Sequence, residues 1–266
     1  MKDNIIGYFS ENEIENRKKI VSLMNDWREE ISKKDKITFF DDGKKYSPED
    51  YFYFDGFFPN YYNQDIKVLF IAREARWQSG LDFIESSLNY FKNDTRINAV
   101  IFWRRIFYML YGIRTKGEFK YKDIPYPYDF IQEIDKNNNY GFALMNMSKY
   151  SNDRDDGATA DVKLINQFLK DSDLKKRNFF QEELEILNPD LIITANLWDG
   201  KIEEEYLKIC FNDLKLINKI ENVASLSTMM IGTKVTKLID LWHFSMPGSD
   251  KDYYYDPVIE LLFKKS

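Results

Sequence analysis

The sequence predicts an α/β protein: a three-layer α/β/α arrangement with a mostly parallel central sheet, preceded by a helical N-terminal extension. Three observations predict it. The runs Val68-Leu69-Phe70-Ile71-Ala72 and Leu191-Ile192-Ile193-Thr194-Ala195 are continuous rather than alternating, as strands covered on both faces are. Stretches of helical period separate the strand-like runs, the order that builds parallel pairs through crossovers. The chain has 266 residues and is 44 % hydrophobic, enough to build a substantial core. We divide it into an extension, 1–60, and an α/β domain, 61–266.

The elements follow in order. Residues 11–33 carry Ile14, Ile20, Leu23, Met24, Trp27 and Ile31 at helical spacing. Ser47 before Pro48-Glu49-Asp50 predicts a short capped helix, with its acids at the positive end of the dipole. Asp55-Gly56 and Pro59-Asn60 mark turns. The first strand spans 67–72, helices span 81–92 and 97–111, and 121–129 is a proline-bearing loop. A second strand spans 140–147, a polar turn-rich loop 148–160, and helices 161–170 and 176–187. Asn188-Pro189 ends the last of these, and a third strand spans 190–195. A helix over 201–213, a strand near 222–231, a last strand over 237–242 and a helix over 256–264 complete the chain.

Composition narrows the function classes. A net charge of −6 argues against a generally basic nucleic-acid coat. A single cysteine, Cys210, excludes an intramolecular disulfide and any cluster or zinc site built from several thiolates. No apolar run approaches the roughly 20 residues of a membrane span. MKDNIIGYFSENE has no signal-peptide pattern, so a cytoplasmic protein without membrane partners is expected. There is no P-loop, G-x-G-x-x-G, H-E-x-x-H or other metal-ligand spacing, and no cofactor is expected.

In open α/β sheets ligands bind beyond the carboxyl ends of the strands. Those ends carry Arg73-Glu74, Asn146 with Lys149, Asn196-Leu197-Trp198, and His243-Phe244-Ser245. Nearby arginines, Arg73 and Arg76, hold Glu74 ionised, so it can position water or stabilise a cationic transition state. The alternative is a structural Arg–Glu pair. Asn146 offers donor and acceptor atoms that read a base edge, or caps a turn. Lys149, Asn152 and Arg154 could hold phosphate, although Asp153, Asp155 and Asp156 offset their charge. His243, the one histidine, can donate to a developing oxyanion or exchange protons, or be a satisfied, partly buried residue. Ser245 lies in no G-x-S-x-G elbow. Trp77, Phe83, Trp103 and Trp198 are candidates for a stacking wall, though most aromatics here serve the core.

The order of these motifs resembles the uracil-DNA glycosylase superfamily. KVLFIAREA, FALMNMSKYSNDR, EELEILNPDLIITAN and LWHFSMP follow one another as that superfamily's motifs do, over roughly residues 67–250. Glu74 stands where one version of the first loop, Gly-Glu-Ala-Pro-Gly, carries its water-positioning acid. Asn146 matches the asparagine that reads the uracil edge, and His243 the histidine that supports the uracil carbonyl. Arg73 and Trp77 replace that loop's glycines and Arg76 its proline. His243-Phe244-Ser245 stands for His-Pro-Ser, and one cysteine cannot hold the iron–sulfur cluster of some members. The resemblance implies a divergent DNA-repair hydrolase that cleaves the N-glycosidic bond of a deaminated or modified base in DNA. Glu74 and His243 would be catalytic. Asn146, Arg73, Arg76, Trp77, Lys149, Asn196 and Ser245 would bind substrate. The alternatives are a catalytically inactive nucleotide- or nucleic-acid-binding module on the same fold, and a small-molecule enzyme sharing the α/β layout.

Overall fold

A computed structural model describes residues 5–36, 45–93, 95–131, 141–153 and 160–264. Its seven strands are β1 (Gly56–Phe57), β2 (Val68–Ala72), β3 (Ala143–Asn146), β4 (Leu191–Ala195), β5 (Lys215–Ile220), β6 (Ala224–Ile231) and β7 (Lys234–Leu241). They form one sheet in the order β1-β3-β2-β4-β7-β6-β5. The four central strands run parallel, while β1 on one edge and β6 and β5 on the other are antiparallel. The sheet is therefore mixed, and the expected parallel pairing holds only at its centre. The reason is local. Strands β6 and β7 are joined by Gly232-Thr233 alone, with Gly232 at φ 56°, and a two-residue connection can only reverse the chain.

Strands β2, β3 and β4 are buried along their whole length, as their continuous apolar runs require. Two strands were not expected. Strand β1 has only two residues. Strand β5, KLINKI, has five exposed residues out of six and lacks the one-faced alternation that marks a half-buried strand.

The helices are α1 (Glu11–Ser32), α2 (Phe83–Asn93), α3 (Ile101–Arg114), α4 (Pro127–Ile131), α5 (Val162–Asp171), α6 (Phe179–Leu187), α7 (Glu204–Cys210) and α8 (Asp256–Phe263). Helix α4 and a 3-10 turn at Tyr121–Asp123 occupy the stretch expected to be a loop; Pro127 takes the first helical position, where its missing N–H costs nothing. Helix α7 is shorter than its expected 201–213. A capping box between Ser10 and Glu13 starts α1, side chains of Asp161 and Asn178 cap α5 and α6, and Asn188 at φ 44° ends α6 before Pro189.

Helix α1 shares the sheet's core. Ile20, Leu23, Met24, Trp27 and Ile31 are buried in the same cluster as β2, β3 and β4. Burying an aliphatic side chain of this size contributes roughly 1.5–3 kcal/mol. Trp27 stacks on Phe179 with ring centroids 5.3 Å apart, and its indole N–H donates to Ser172 Oγ at 2.9 Å. The segment assigned to the N-terminal extension thus also supplies strand β1. Among the described residues, no helix is long and apolar enough to cross a membrane.

Candidate functional site

The site forms where the parallel ladder runs past the ends of its strands. Ala72 faces Asn146 in register. The chain then continues the pairing: Met147 N–H donates to Ala72, Ser148 N–H to Arg73 and Asn152 N–H to Ala75, each at 2.9 Å to the carbonyl. The Tyr53 hydroxyl pins the two loops together, donating to the Ser148 carbonyl at 2.7 Å and accepting the Ala75 N–H at 3.2 Å. Because the backbone stays extended, Arg73 and Glu74 reach opposite neighbours.

Glu74 turns toward β3 and the start of α5. Its Oε1 accepts from Asn152 Nδ2 at 2.7 Å and from the Asp161 backbone N–H at 2.9 Å. Its Oε2 is buried and takes no hydrogen bond among the described residues. Burial pushes the carboxyl up to about 7, the two hydrogen bonds pull it back, and Arg76 acts more weakly. This corrects the expectation that flanking arginines hold Glu74 ionised: Coulomb attraction loses here to desolvation. Arg76 pairs through its backbone with Asn152 in an isolated parallel bridge.

Arg73 turns toward β4. It is 5 % exposed and donates to the Asn196 carbonyl, and it pairs with Asp199 Oδ2 at 2.6 Å. It is not placed as a phosphate clamp, because its charge is met inside the protein. Asn196 contributes this carbonyl from a left-handed backbone, φ 55°.

Asn146 is 2 % exposed. Its backbone N–H donates to Asp55 Oδ2 at 2.8 Å.

His243 follows β7. Its Nδ1 accepts the Ser245 backbone N–H at 3.2 Å, which assigns the ring proton to Nε2. Its carbonyl accepts from the Tyr254 hydroxyl at 2.8 Å. Burial first, and the Arg73 charge second, lower its pKa to about 4. The ring is therefore a neutral donor at physiological pH rather than a proton exchanger. Because the chain has one histidine, its proton NMR signals are unambiguous. They are expected to titrate near pH 4 with the Nε2–H tautomer above it; titration near 6.5, the ordinary value, would contradict this environment. Ser245 is exposed and serves through its backbone. The 243–250 segment is held by Arg105, 1 % exposed, which donates to the carbonyls of Phe244 at 2.8 Å, Met246 at 2.6 Å and Gly248 at 2.9 Å, and to Asp250 at 2.8 Å.

Lys149 is the second correction. It is wholly buried, with Nζ 2.8 Å from both Asp55 oxygens and 2.9 Å from Glu183 Oε2. It cannot reach a phosphate. Sequence spacing does not show that Asp55 and Glu183 lie beneath this strand end. Of the aromatic candidates, Trp103 is core and stacks with Phe83 at 6.0 Å, and Trp198 packs on Phe211 at 5.1 Å. Trp77 is 57 % exposed with φ 52°, a backbone that costs a side-chain-bearing residue about 1–2 kcal/mol. Arg154, Asp155 and Asp156 lie outside the described residues.

The structure thus gathers Glu74, Asn146 and Asn152 over β2 and β3, and Arg73, Asn196, Asp199 and His243 over β2, β4 and β7. Among the described residues no group of three or more His, Cys, Asp or Glu could hold a metal ion. Asp161 and Tyr53 escaped the sequence reading: one contributes a backbone N–H and the other lies in an aromatic run. No family model, curated protein or solved structure matches the chain.

Proposed function

We propose that the protein is a glycosylase of the uracil-DNA glycosylase-like class, built on a three-layer α/β/α core, that hydrolyses the N-glycosidic bond of a deaminated or modified base in DNA. One observation carries the reading. Glu74 presents a buried oxygen without a partner among the described residues, at the end of a parallel strand whose neighbour ends in Asn146. Such groups cost stability unless a ligand or water satisfies them.

The chemistry follows from the groups. A base taken out of the stack would meet the Asn146 amide along its edge. His243 Nε2–H would donate to the base oxygen where negative charge grows as the bond breaks. The Glu74 carboxylate would orient the attacking water or stabilise the sugar cation. Only ionised Glu74 serves either role. Base release is therefore expected to rise with pH through about 7, and not to fall at the acid end through His243, which stays neutral down to about 4.

The test is base release from single- and double-stranded oligonucleotides containing uracil or another deaminated base, at low salt. Glu74→Gln and His243→Ala are expected to lose at least about 100-fold in rate, the lower end for one general acid–base group, while remaining folded. Full activity in both variants would reject the roles. Absence of release from every substrate would favour a nucleotide- or nucleic-acid-binding module without catalysis. A specific observation supports that second reading: Lys149 and Arg73 are both neutralised internally, leaving the site short of cations for phosphate.

A further inference from the structure

The β4-β7-β6-β5 half of the sheet holds a second polar site. Strands β4, β7, β6 and β5 bring Thr194, Asp240, Ser225 and Lys219 into one row: Thr194 faces Asp240, Asp240 faces Ser225, and Ser225 faces Lys219. Residues in register across a sheet share a face. Along this row burial falls from Thr194, which is buried, through Asp240 and Ser225 to Lys219, which is exposed.

Asp240 is the centre of this row. Its Oδ1 accepts from the Thr194 hydroxyl at 2.6 Å and from the Leu197 backbone N–H at 3.2 Å, which hold the carboxylate in one orientation. The Asn196 backbone N–H also bonds this carboxylate, which leaves one of its roughly four acceptor positions. The carboxylate faces a cleft of about 420 Å³ lined by Asn196, Asn222, Ser225, Lys219 and Trp242. That volume falls within the roughly 300–1,000 Å³ of small-molecule sites. The Trp242 ring is fixed: its indole N–H donates to the Asn222 carbonyl at 2.9 Å, and Tyr253 packs against it at 6.2 Å. It remains 38 % exposed. Lys219 pairs with Glu221 at 2.6 Å, so the charge left over is that of Asp240.

We propose that this cleft binds a small amino-substituted heteroaromatic ring, with the ring plane against Trp242 and the amino group donating to Asp240. An acceptor-only carboxylate selects donors, and an indole face selects flat rings. The cleft shares Asn196 with the candidate functional site but does not include Glu74, and it does not depend on the glycosylase reading.

Calorimetric titration of the full chain with adenosine, cytidine and purine riboside tests it. Purine riboside lacks only the amino group of adenosine. Adenosine is expected to bind at least tenfold more tightly than purine riboside, from the ~1.5–3 kcal/mol of a hydrogen bond to a charged group. Asp240→Asn keeps an oxygen for Thr194 and Leu197 but puts an amide donor in the cleft, and is expected to erase that preference. Glu74→Gln is expected to leave it intact, which separates this site from the proposed catalytic one. Equal binding of adenosine and purine riboside, no binding of any of the three, or an unchanged preference in Asp240→Asn would each overturn the proposal. The comparison of the two nucleosides on the unaltered chain stands even if the variant fails to fold.

Discussion

Replacing Lys149 with methionine is expected to lower the unfolding free energy by about 3–5 kcal/mol at neutral pH, the range for removing one partner of a buried ion pair. Denaturant unfolding measures it. Lys149, Asp55 and Glu183 have fully buried side chains. One ammonium cannot neutralise two carboxylates, so one of them must carry a proton. Burial, and then the Asp55 charge, push Glu183 far above the ordinary glutamate range, while Lys149 pulls it back. That direction favours the protonated form of Glu183, in which the triad is neutral. Methionine fills the volume of the lysine stem but leaves two acids facing each other without a cation.

The sign of the pH dependence follows. A carboxyl whose folded pKa is raised binds its proton more tightly in the native state. Its contribution is fully present below its unfolded pKa of about 4.3 and declines as pH rises toward the folded value. Glu183→Gln mimics the protonated acid, with an oxygen for Lys149 and an N–H for Asp55. It is expected to be at least as stable as the parent, by a margin that grows with pH above about 4.3. A Glu183→Gln variant destabilised as much as Lys149→Met would show that the ionised glutamate is the native form.

Arg105→Met is the second large effect, expected to cost about 2–4 kcal/mol because one buried and two part-buried acceptors lose their donor together, at ~1–3 kcal/mol for each buried group left unsatisfied. Three carbonyls, those of Phe244, Met246 and Gly248, depend on this one guanidinium. Asp250 is not orphaned, since Arg104 Nε also donates to it, at 2.6 Å, which keeps the estimate below the sum. The guanidinium also lies 4.0 Å from the Tyr254 ring centroid, and the Tyr254 hydroxyl holds the His243 carbonyl. The variant is therefore expected to shift the His243 titration upward from about 4, because it removes a nearby positive charge and loosens the segment that buries the ring. Unchanged stability together with an unchanged histidine titration would show that the loop holds itself.

The parallel strands and their polar ends were legible because both rest on the chain's own pattern. A run such as Val68–Ala72 has one physical solution, burial on both faces, and whatever follows it must meet the strand edge. Helix α1 announced itself in the same way, through its apolar spacing. Strand β5 did not, because its exposed residues carry no burial pattern to read. The antiparallel β6–β7 pairing was not legible, because a two-residue connection after Ile231 reverses the chain, a feature shorter than any periodicity.

The candidate site divides along the same line. Sequence alone determined that Arg73, Glu74, Asn146, Asn196 and His243 gather at the strand ends, since strand direction and length place them there. It could not determine their partners. Arg73 and Glu74 adjoin in the chain yet reach opposite neighbours, Asp199 and Asn152, and Lys149 goes inward to Asp55 and Glu183 instead of outward to solvent. Those assignments were decided by tertiary structure, because they depend on which groups lie within hydrogen-bond reach across the sheet. Burial then sets their charge: it overrides the arginines at Glu74 and, with Arg73, keeps His243 neutral.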